Sequence, residues 1–458
     1  MLTRRQALLP LAQAPLAAAA AKRPNIVFIL VDDLRWDALG FAGHPFAKTP
    51  NIDRLAGSGA RFSNAFVTTP LCSPSRASFL TGQYVHKHGV IDNTDHNELT
   101  HKLVTFPRLL HDAGYETAYV GKWHMGNDDS PRPGFNRWVS FRGQGVYDNP
   151  EFNINGKREP QQGYMTDLLN QQAVSFVRQP RGDKPFCLFL AHKAVHGPFT
   201  PAVRHAADYA SDEIPRAISA QQRPVDKPAL LRPLPAAAAD TKKAGGAKKK
   251  AGPAVPNDEL VRNQLRCLRS IDDGVGLLLT ALRETGQESN TVVIFTSDNG
   301  YFWGEHGLGD KRWAYEESLR VPLVISRPGS IDPGLRVGAQ VLNIDIAPTA
   351  LALAGIKPPK SMHGRSLLPL FGKNEPKWRS AFLAEYFHES AFARTPKWEA
   401  IRTPEWKYIH YPDVPDMDEL YHLRADRFEQ RNVVADPAMA KVLKELRAEL
   451  TAQMKATS

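Results

Sequence analysis

At 458 residues the chain exceeds one ordinary domain and suits a large domain with a smaller companion. With 42% hydrophobic and 23% charged residues, and no apolar run of about 18 or more past the N-terminal stretch, it reads as globular and not membrane-spanning. Its net charge of +10 excludes less than it suggests. Five of the excess charges are Lys242, Lys243, Lys248, Lys249 and Lys250, and two are Arg4 and Arg5, so the rest is only mildly basic and no nucleic-acid partner is expected. Three cysteines exclude a disulfide framework.

In chain order, residues 1–21 combine paired arginines, an alanine-rich apolar stretch and small residues before Lys22, the pattern of an export signal. Thr3-Arg4-Arg5-Gln6 with Leu8 and Leu9 resembles a twin-arginine signal, so a periplasmic or secreted location is expected; an unstructured leader is the alternative. "NIVFILVDD" then runs six apolar residues into Asp32 and Asp33 and reads as a buried parallel strand. "TPNIDRLAGSG" is a helix with Thr49 as a cap and Pro50 at its first position, and "TFPRLLHDAG" is a helix ending at Gly114. Between them, "LCSPSRASFLTG" starts a helix near Pro74 with Ser73 as cap, which sets Cys72 at the electropositive end. Such a cysteine is a buried structural thiol or a reactive group, and an anion suits its position.

Three more apolar runs end in polar residues. "YETAYVGKWHMG" leads to Lys122 and His124, "FCLFLAHKAVHGP" to Lys193 and His196, and "TVVIFTSDNG" to Asp298 and Asn299. Lys122 and His124, two apart in an extended segment, are expected on one face. The stretch from about 230 to 256 has the composition of a solvated insertion, and "NDELVRNQLRCLRSIDDGVGLLLTALRETG" is a long helix. From about residue 374, short strand-like pieces and an amphipathic helix predict a small antiparallel sheet packed on that helix. Alternating strands and helices predict an α/β fold, a large, mostly parallel sheet with helices on both faces, whose polar clusters meet at the carboxyl edge. The domains expected are thus 22–373 and 374–458. Asp32, Asp33, Asp298 and Asn299 offer only oxygen ligands, a set suited to Ca²⁺ or Mg²⁺ and not to zinc.

"CSPSRASFLTG" matches the pattern C-x-P-S-R-x-x-L-L-T-G of the cysteine-type sulfatases, with Phe79 in the first leucine position. "RPNIVFILVDD", "GYETAYVGKWHMG", "HKAVHGPF", "FTSDNG" and "GLGDKRWAYEESLRVPLVI" occur in that family's order, so the chain resembles a sulfatase over most of its length. The resemblance implies an alkaline-phosphatase-like fold and a Cα-formylglycine made from Cys72 by a separate maturing enzyme. It further implies a divalent cation, usually Ca²⁺, on Asp32, Asp33, Asp298, Asn299 and modified Cys72. In the implied mechanism the aldehyde hydrate attacks sulfur, Arg76, Lys122 and Lys311 surround the sulfate ester, His196 protonates the leaving alcohol, and His124 deprotonates the second hydroxyl. His192 competes with His196, which is preferred because His-x-Pro matches the family element.

The substrate expected is a sulfated glycan. "GFNRWVSFRGQGVYDNPEFNINGKR" resembles the N-acetylglucosamine-6-sulfatases of heparan-type or mucin-type glycans. Asn93, His306 and Trp313 are candidate substrate contacts, and Trp123, Trp303 and Tyr147 are sugar-stacking or core aromatics. The rival readings are a sulfatase of other specificity, such as iduronate-2-sulfate, a phosphatase or phosphodiesterase of the same superfamily, and a non-catalytic glycan binder.

Overall fold

The computed structural model describes residues 22–232, 255–372 and 376–458. The expected export signal, residues 233–254 of the lysine-rich stretch and the expected boundary at 373/374 lie outside them. Ten strands form the large sheet: β1 (Asn25–Val31), β2 (Ala60–Phe62), β3 (Glu116–Gly121), β4 (Arg137–Ser140), β5 (Glu151–Ile154), β6 (Lys157–Pro160), β7 (Phe186–Ala191), β8 (Thr291–Ser297), β9 (Leu323–Ser326) and β10 (Leu335–Val337). Their order is β10-β2-β9-β8-β1-β7-β3-β4-β5-β6. The central strands β8, β1, β7, β3 and β4 are parallel, whereas β9 is antiparallel to both of its neighbours and β5 and β6 close the far edge as an antiparallel pair.

All seven residues of β1 are buried, as a strand covered on both faces requires. Ile26, Phe28 and Leu30 enter one core and Val27, Ile29 and Val31 the other, the two-residue alternation of an extended chain. The covering helices are α1 (Pro50–Gly57), α2 (Cys72–Thr81), α3 (Phe106–Asp112), α4 (Met165–Arg178) and α5 (Asp258–Glu284). Helices α2 and α3 pack on the first face, and α1, α4 and α5 on the second. Helix α5 begins where the Asn257 side chain accepts the Leu260 amide at 2.9 Å, with Asp258 and Glu259 in its first turn. Its stripe of Val261, Leu265, Leu268, Val275, Leu278 and Leu282 is buried, each side chain contributing about 1.5–3 kcal/mol. Thr49 precedes α1 as expected but does not cap it. Its hydroxyl donates to Asp53 at 2.9 Å, because that carboxylate lies one turn on.

Strands β11 (Phe382–Tyr386), β12 (Trp398–Arg402), β13 (Trp406–His410) and β14 (Glu419–His422) form the small antiparallel sheet, with α6 (Ala440–Thr457) against it. Its apolar face joins the first core of the large sheet, Phe382 lying 4.9 Å from Phe66 between ring centres. The two sheets therefore share one apolar interior on that side.

The segment after α2 meets this C-terminal part through His86. Its Nδ1 lies 2.9 Å from the Glu385 carboxylate and its Nε2 3.0 Å from the Thr457 carbonyl. Both partners are acceptors, so only the doubly protonated ring satisfies both. Against the cost of burial, the hydrogen bond and charge of Glu385 raise the His86 pKa above the ordinary 6.5, with Lys87 opposing. A raised folded value gives stability that is complete below the unfolded value and lost as pH rises through the folded one. Thermal unfolding of wild type and His86→Gln is expected to show a wild-type advantage below pH 6.5 that shrinks above it, about 1 kcal/mol or less after solvent screening. An advantage independent of pH contradicts the charged clamp.

Candidate active site

Strands β1 and β8 end level, Val31 beside Ser297, so Asp32 and Asp33 emerge next to Asp298 and Asn299 at the carboxyl edge. The Asp33 backbone turns left-handed, with φ of 61°, and its amide donates to Asp298 Oδ1 at 3.1 Å. Oxygens of Asp32, Asp33 and Asp298 all lie within 4.8 Å of one another, fully buried. Asn299 donates its amide to Asp33 Oδ1 at 2.6 Å, and its own Oδ1 is buried without a hydrogen-bond partner. Three anions and one unanswered carbonyl oxygen make a hard-donor cradle that a divalent cation fits.

Strands β7 and β3 lie on the other side of β1, and their ends supply the cations. Gly121 closes β3 at φ of 123°, and a Cβ there would stand 1.8 Å from the Ala191 carbonyl oxygen. That close approach turns Lys122 inward, where its ammonium pairs with Asp32. Lys311 comes from the segment before β9 and donates to both Asp33 and Cys72 Sγ, the latter at 3.3 Å. It is flanked by Asp310 and Arg312 at φ of 66° and 85°, backbone strain concentrated where Lys311 is aimed.

Cys72 is the first residue of α2, and its Sγ lies 3.6 Å from Asp32 Oδ1. The helix starts earlier than expected, and Ser73 is not its cap. The Ser73 hydroxyl instead donates to the His124 carbonyl, while the Ser73 amide is accepted by Asn93 Oδ1 at 3.0 Å. One turn on, Arg76 reaches Asp298 at 2.8 and 2.9 Å and the Lys122 carbonyl at 2.6 Å. Its guanidinium is buried, and its Nη2, in ion-pair range of Asp298 and Asp32, has no hydrogen-bond partner. His124 is brought to the site by a left-handed residue of φ 55° and not by the extended segment expected, because the chain turns immediately after β3. Its Nδ1 is buried without a partner. His196 approaches with Nε2 3.7 Å from Asp33 Oδ2.

The charges are strongly coupled. Burial alone would raise Asp32, but Lys122, His196, Arg76 and Lys311 hold it well below the usual carboxylate range. Burial and the neighbouring Asp32 charge push Asp298 up to about 7. Burial, then Lys122, lowers His196 to about 3, and the same two causes lower His124. Burial pushes the Cys72 thiol up to about 12.

Cys72, Arg76, Lys122, His124, His196, Lys311 and the four expected metal residues are thus brought together. His306 and Trp313 are not. His306 packs against Tyr315, the ring centres 4.3 Å apart and the planes tilted by 37°, and faces Glu317 and Glu429, and Trp313 is buried in the first core. His192 is buried with Nε2 2.8 Å from Asn170. Trp123, Trp303 and Tyr147 are buried as well. All three thiols are free. Sequence reasoning misses the ties of Ser73 and Asn93. A hydroxyl beside the cysteine is the one available signal, and it equally describes a cap.

The family model described as Sulfatase matches residues 24–356, and that described as N-sulphoglucosamine sulphohydrolase, C-terminal, matches residues 304–456. An N-acetylglucosamine-6-O-sulfatase of Bacteroides thetaiotaomicron is 32% identical over 499 residues, covering 96% of this chain and 88% of that protein. The human N-acetylglucosamine-6-sulfatase is 32% identical over 408 residues, covering 83% of this chain and 70% of its own. A solved structure of a protein with its substrate D-glucosamine-2-N,6-O-disulfate superposes with a TM-score of 0.81 at 32% identity, covering 95% of this chain and 98% of that one. The sheet order and its buried acidic edge define an α/β enzyme of alkaline-phosphatase-like fold. Within that class the chain belongs to the sulfatase family, and it is a sulfuric ester hydrolase.

Proposed function

We propose that this sulfatase removes the 6-O-sulfate of N-acetylglucosamine in heparan-type or mucin-type glycans. The observation that carries the reading is Cys72 at the start of α2, between Lys311 and a buried cradle of Asp32, Asp33, Asp298 and the unpartnered Asn299 oxygen. These residues fit a divalent cation, Ca²⁺ or Mg²⁺, and with it a formylglycine made from Cys72 by a maturing enzyme. As its hydrate, a formylglycine beside such a cation supplies an attacking oxygen that an unmodified thiol lacks.

The chain's own groups do the rest. Lys122 and Lys311 bind the sulfate and answer the charge that builds as the ester bond breaks. Arg76 holds the start of α2 against Asp298. His196 gives a proton to the leaving alcohol. In the free site its ring is uncharged, and a bound sulfate ester brings the negative charge that raises its proton affinity. His124, kept neutral by burial and Lys122, accepts a proton at residue 72. Asn93 lies beside Cys72 through its bond to Ser73, which leaves its amide nitrogen to meet a sugar hydroxyl or the N-acetyl group. The small sheet rims the pocket as part of a second domain. Export by the twin-arginine route fits maturation before transport, and no described helix is long and apolar enough to cross a membrane.

Sulfate release from N-acetylglucosamine 6-sulfate and from a 2-O-sulfated uronic acid, with phosphate release from an aryl phosphate, tests the reading. The first is expected to exceed the others by about 100-fold or more in kcat/KM. Equal rates on either competitor overturn it.

A further inference from the structure

Two residues outside the reacting set converge on His196. The Tyr147 hydroxyl donates to the His196 carbonyl at 2.6 Å, and the Lys193 ammonium donates to the next carbonyl, Gly197, at 2.8 Å. That Gly197 oxygen also lies 3.0 Å from His196 Nδ1. Lys193 and Tyr147 touch each other too, the ammonium standing 4.8 Å from the centre of the phenol ring. Both are buried, at 1% and 4% exposure. Among the described residues Lys193 forms no ion pair, so a desolvated cation is spent on one backbone carbonyl and one ring face.

We infer that Lys193 and Tyr147 are positioning residues that fix the ring of His196 for proton delivery. The two clamps pin the successive carbonyls of His196 and Gly197. A pinned Gly197 oxygen accepts Nδ1–H, which fixes the tautomer and leaves Nε2, 3.7 Å from Asp33, as the nitrogen facing the pocket. When the bound sulfate ester raises the ring's proton affinity, Nε2 takes a proton from water and the ring becomes an imidazolium. That Nε2 proton passes to the departing oxygen, which keeps the S–O bond electrons and becomes the alcohol, and the ring returns to its Nδ1–H form. Without the clamps the carbonyl rotates and the ring is free to present either nitrogen. The inference rests on the reading of His196 as proton donor, and its test separates the two.

A sugar alcohol is a poor leaving group and needs that proton, whereas an acidic phenol does not. Steady-state kinetics of Lys193→Met and Tyr147→Phe are therefore compared with His196→Ala on N-acetylglucosamine 6-sulfate and on 4-nitrophenyl sulfate. The expected result is a loss of about 10- to 100-fold in kcat on the sugar sulfate with little change in KM, and less than about threefold on the aryl sulfate, for both variants. If His196→Ala shows this contrast and both variants leave the two substrates equally affected or unaffected, the positioning role is overturned and the proton-donor reading stands. If His196→Ala lacks the contrast, the proton-donor reading falls and the inference with it. Ring-¹⁵N spectra of His196, assigned by their absence from His196→Ala, give a readout that needs no turnover. Wild type is expected as the single Nδ1–H tautomer and the Lys193→Met/Tyr147→Phe double variant as a mixture; one unchanged tautomer in the double variant overturns the inference.

Discussion

Cys72→Ala is expected to fold and to lose turnover, with kcat down roughly 10⁴-fold or more and the thermal midpoint moved by only a few degrees. The contrast stems from the state of the thiol. Burial pushes it up to about 12, so at neutral pH it is uncharged, a small apolar filler whose removal costs little. A site meant for thiolate attack would lower that value. Here burial outweighs the charges of Lys122 and of Lys311, which lies 3.3 Å from the sulfur, and this fits a thiol that is a precursor and not the nucleophile. Circular dichroism and sulfate release on the same preparation check both halves. Retained turnover in the alanine variant contradicts the proposed role of residue 72.

Removing the divalent cation is expected to abolish activity and to change how stability depends on pH. With no cation, burial and Asp32 push Asp298 from 3.8 up to about 7. At Asp298 the folded protein then binds more protons than the unfolded chain between those values, so this group's contribution to stability falls as pH rises from about 4 to about 7 and levels off above, while the lowered His124 and His196 contribute in the opposite sense. A bound cation removes that slope by answering the carboxylates directly, and it stabilises the fold by mass action. Unfolding of chelated and Ca²⁺-loaded or Mg²⁺-loaded protein across that range measures the difference. Full activity after exhaustive chelation, or parallel stability profiles, contradicts a metal in the cradle.

Much of this site is legible in the chain because its ligands end apolar runs. Six buried residues before Asp32 and another run before Asp298 announce parallel strands, and parallel strands deliver the residues just past their ends to one edge. A helix at this point is legible from Ser73 and Pro74, although it begins at Cys72, two residues before the expected start. What local pattern cannot supply is a bond made across the fold. Ser73 reads as a cap, yet its hydroxyl serves a carbonyl 51 positions away. His124 reads as extended, yet its backbone is left-handed, three residues after Gly121 leaves the strand at positive φ. The pairing of Tyr147 with His196 and the joining of the small sheet to the large one depend on packing between distant segments, with no periodicity to report them.

The most direct measurement is mass spectrometry of the peptide spanning residue 72, taken from active enzyme made in its native host. An aldehyde in place of the sulfhydryl, in a fraction that tracks specific activity, is the predicted result. Fully active enzyme carrying an intact cysteine at that position contradicts the account.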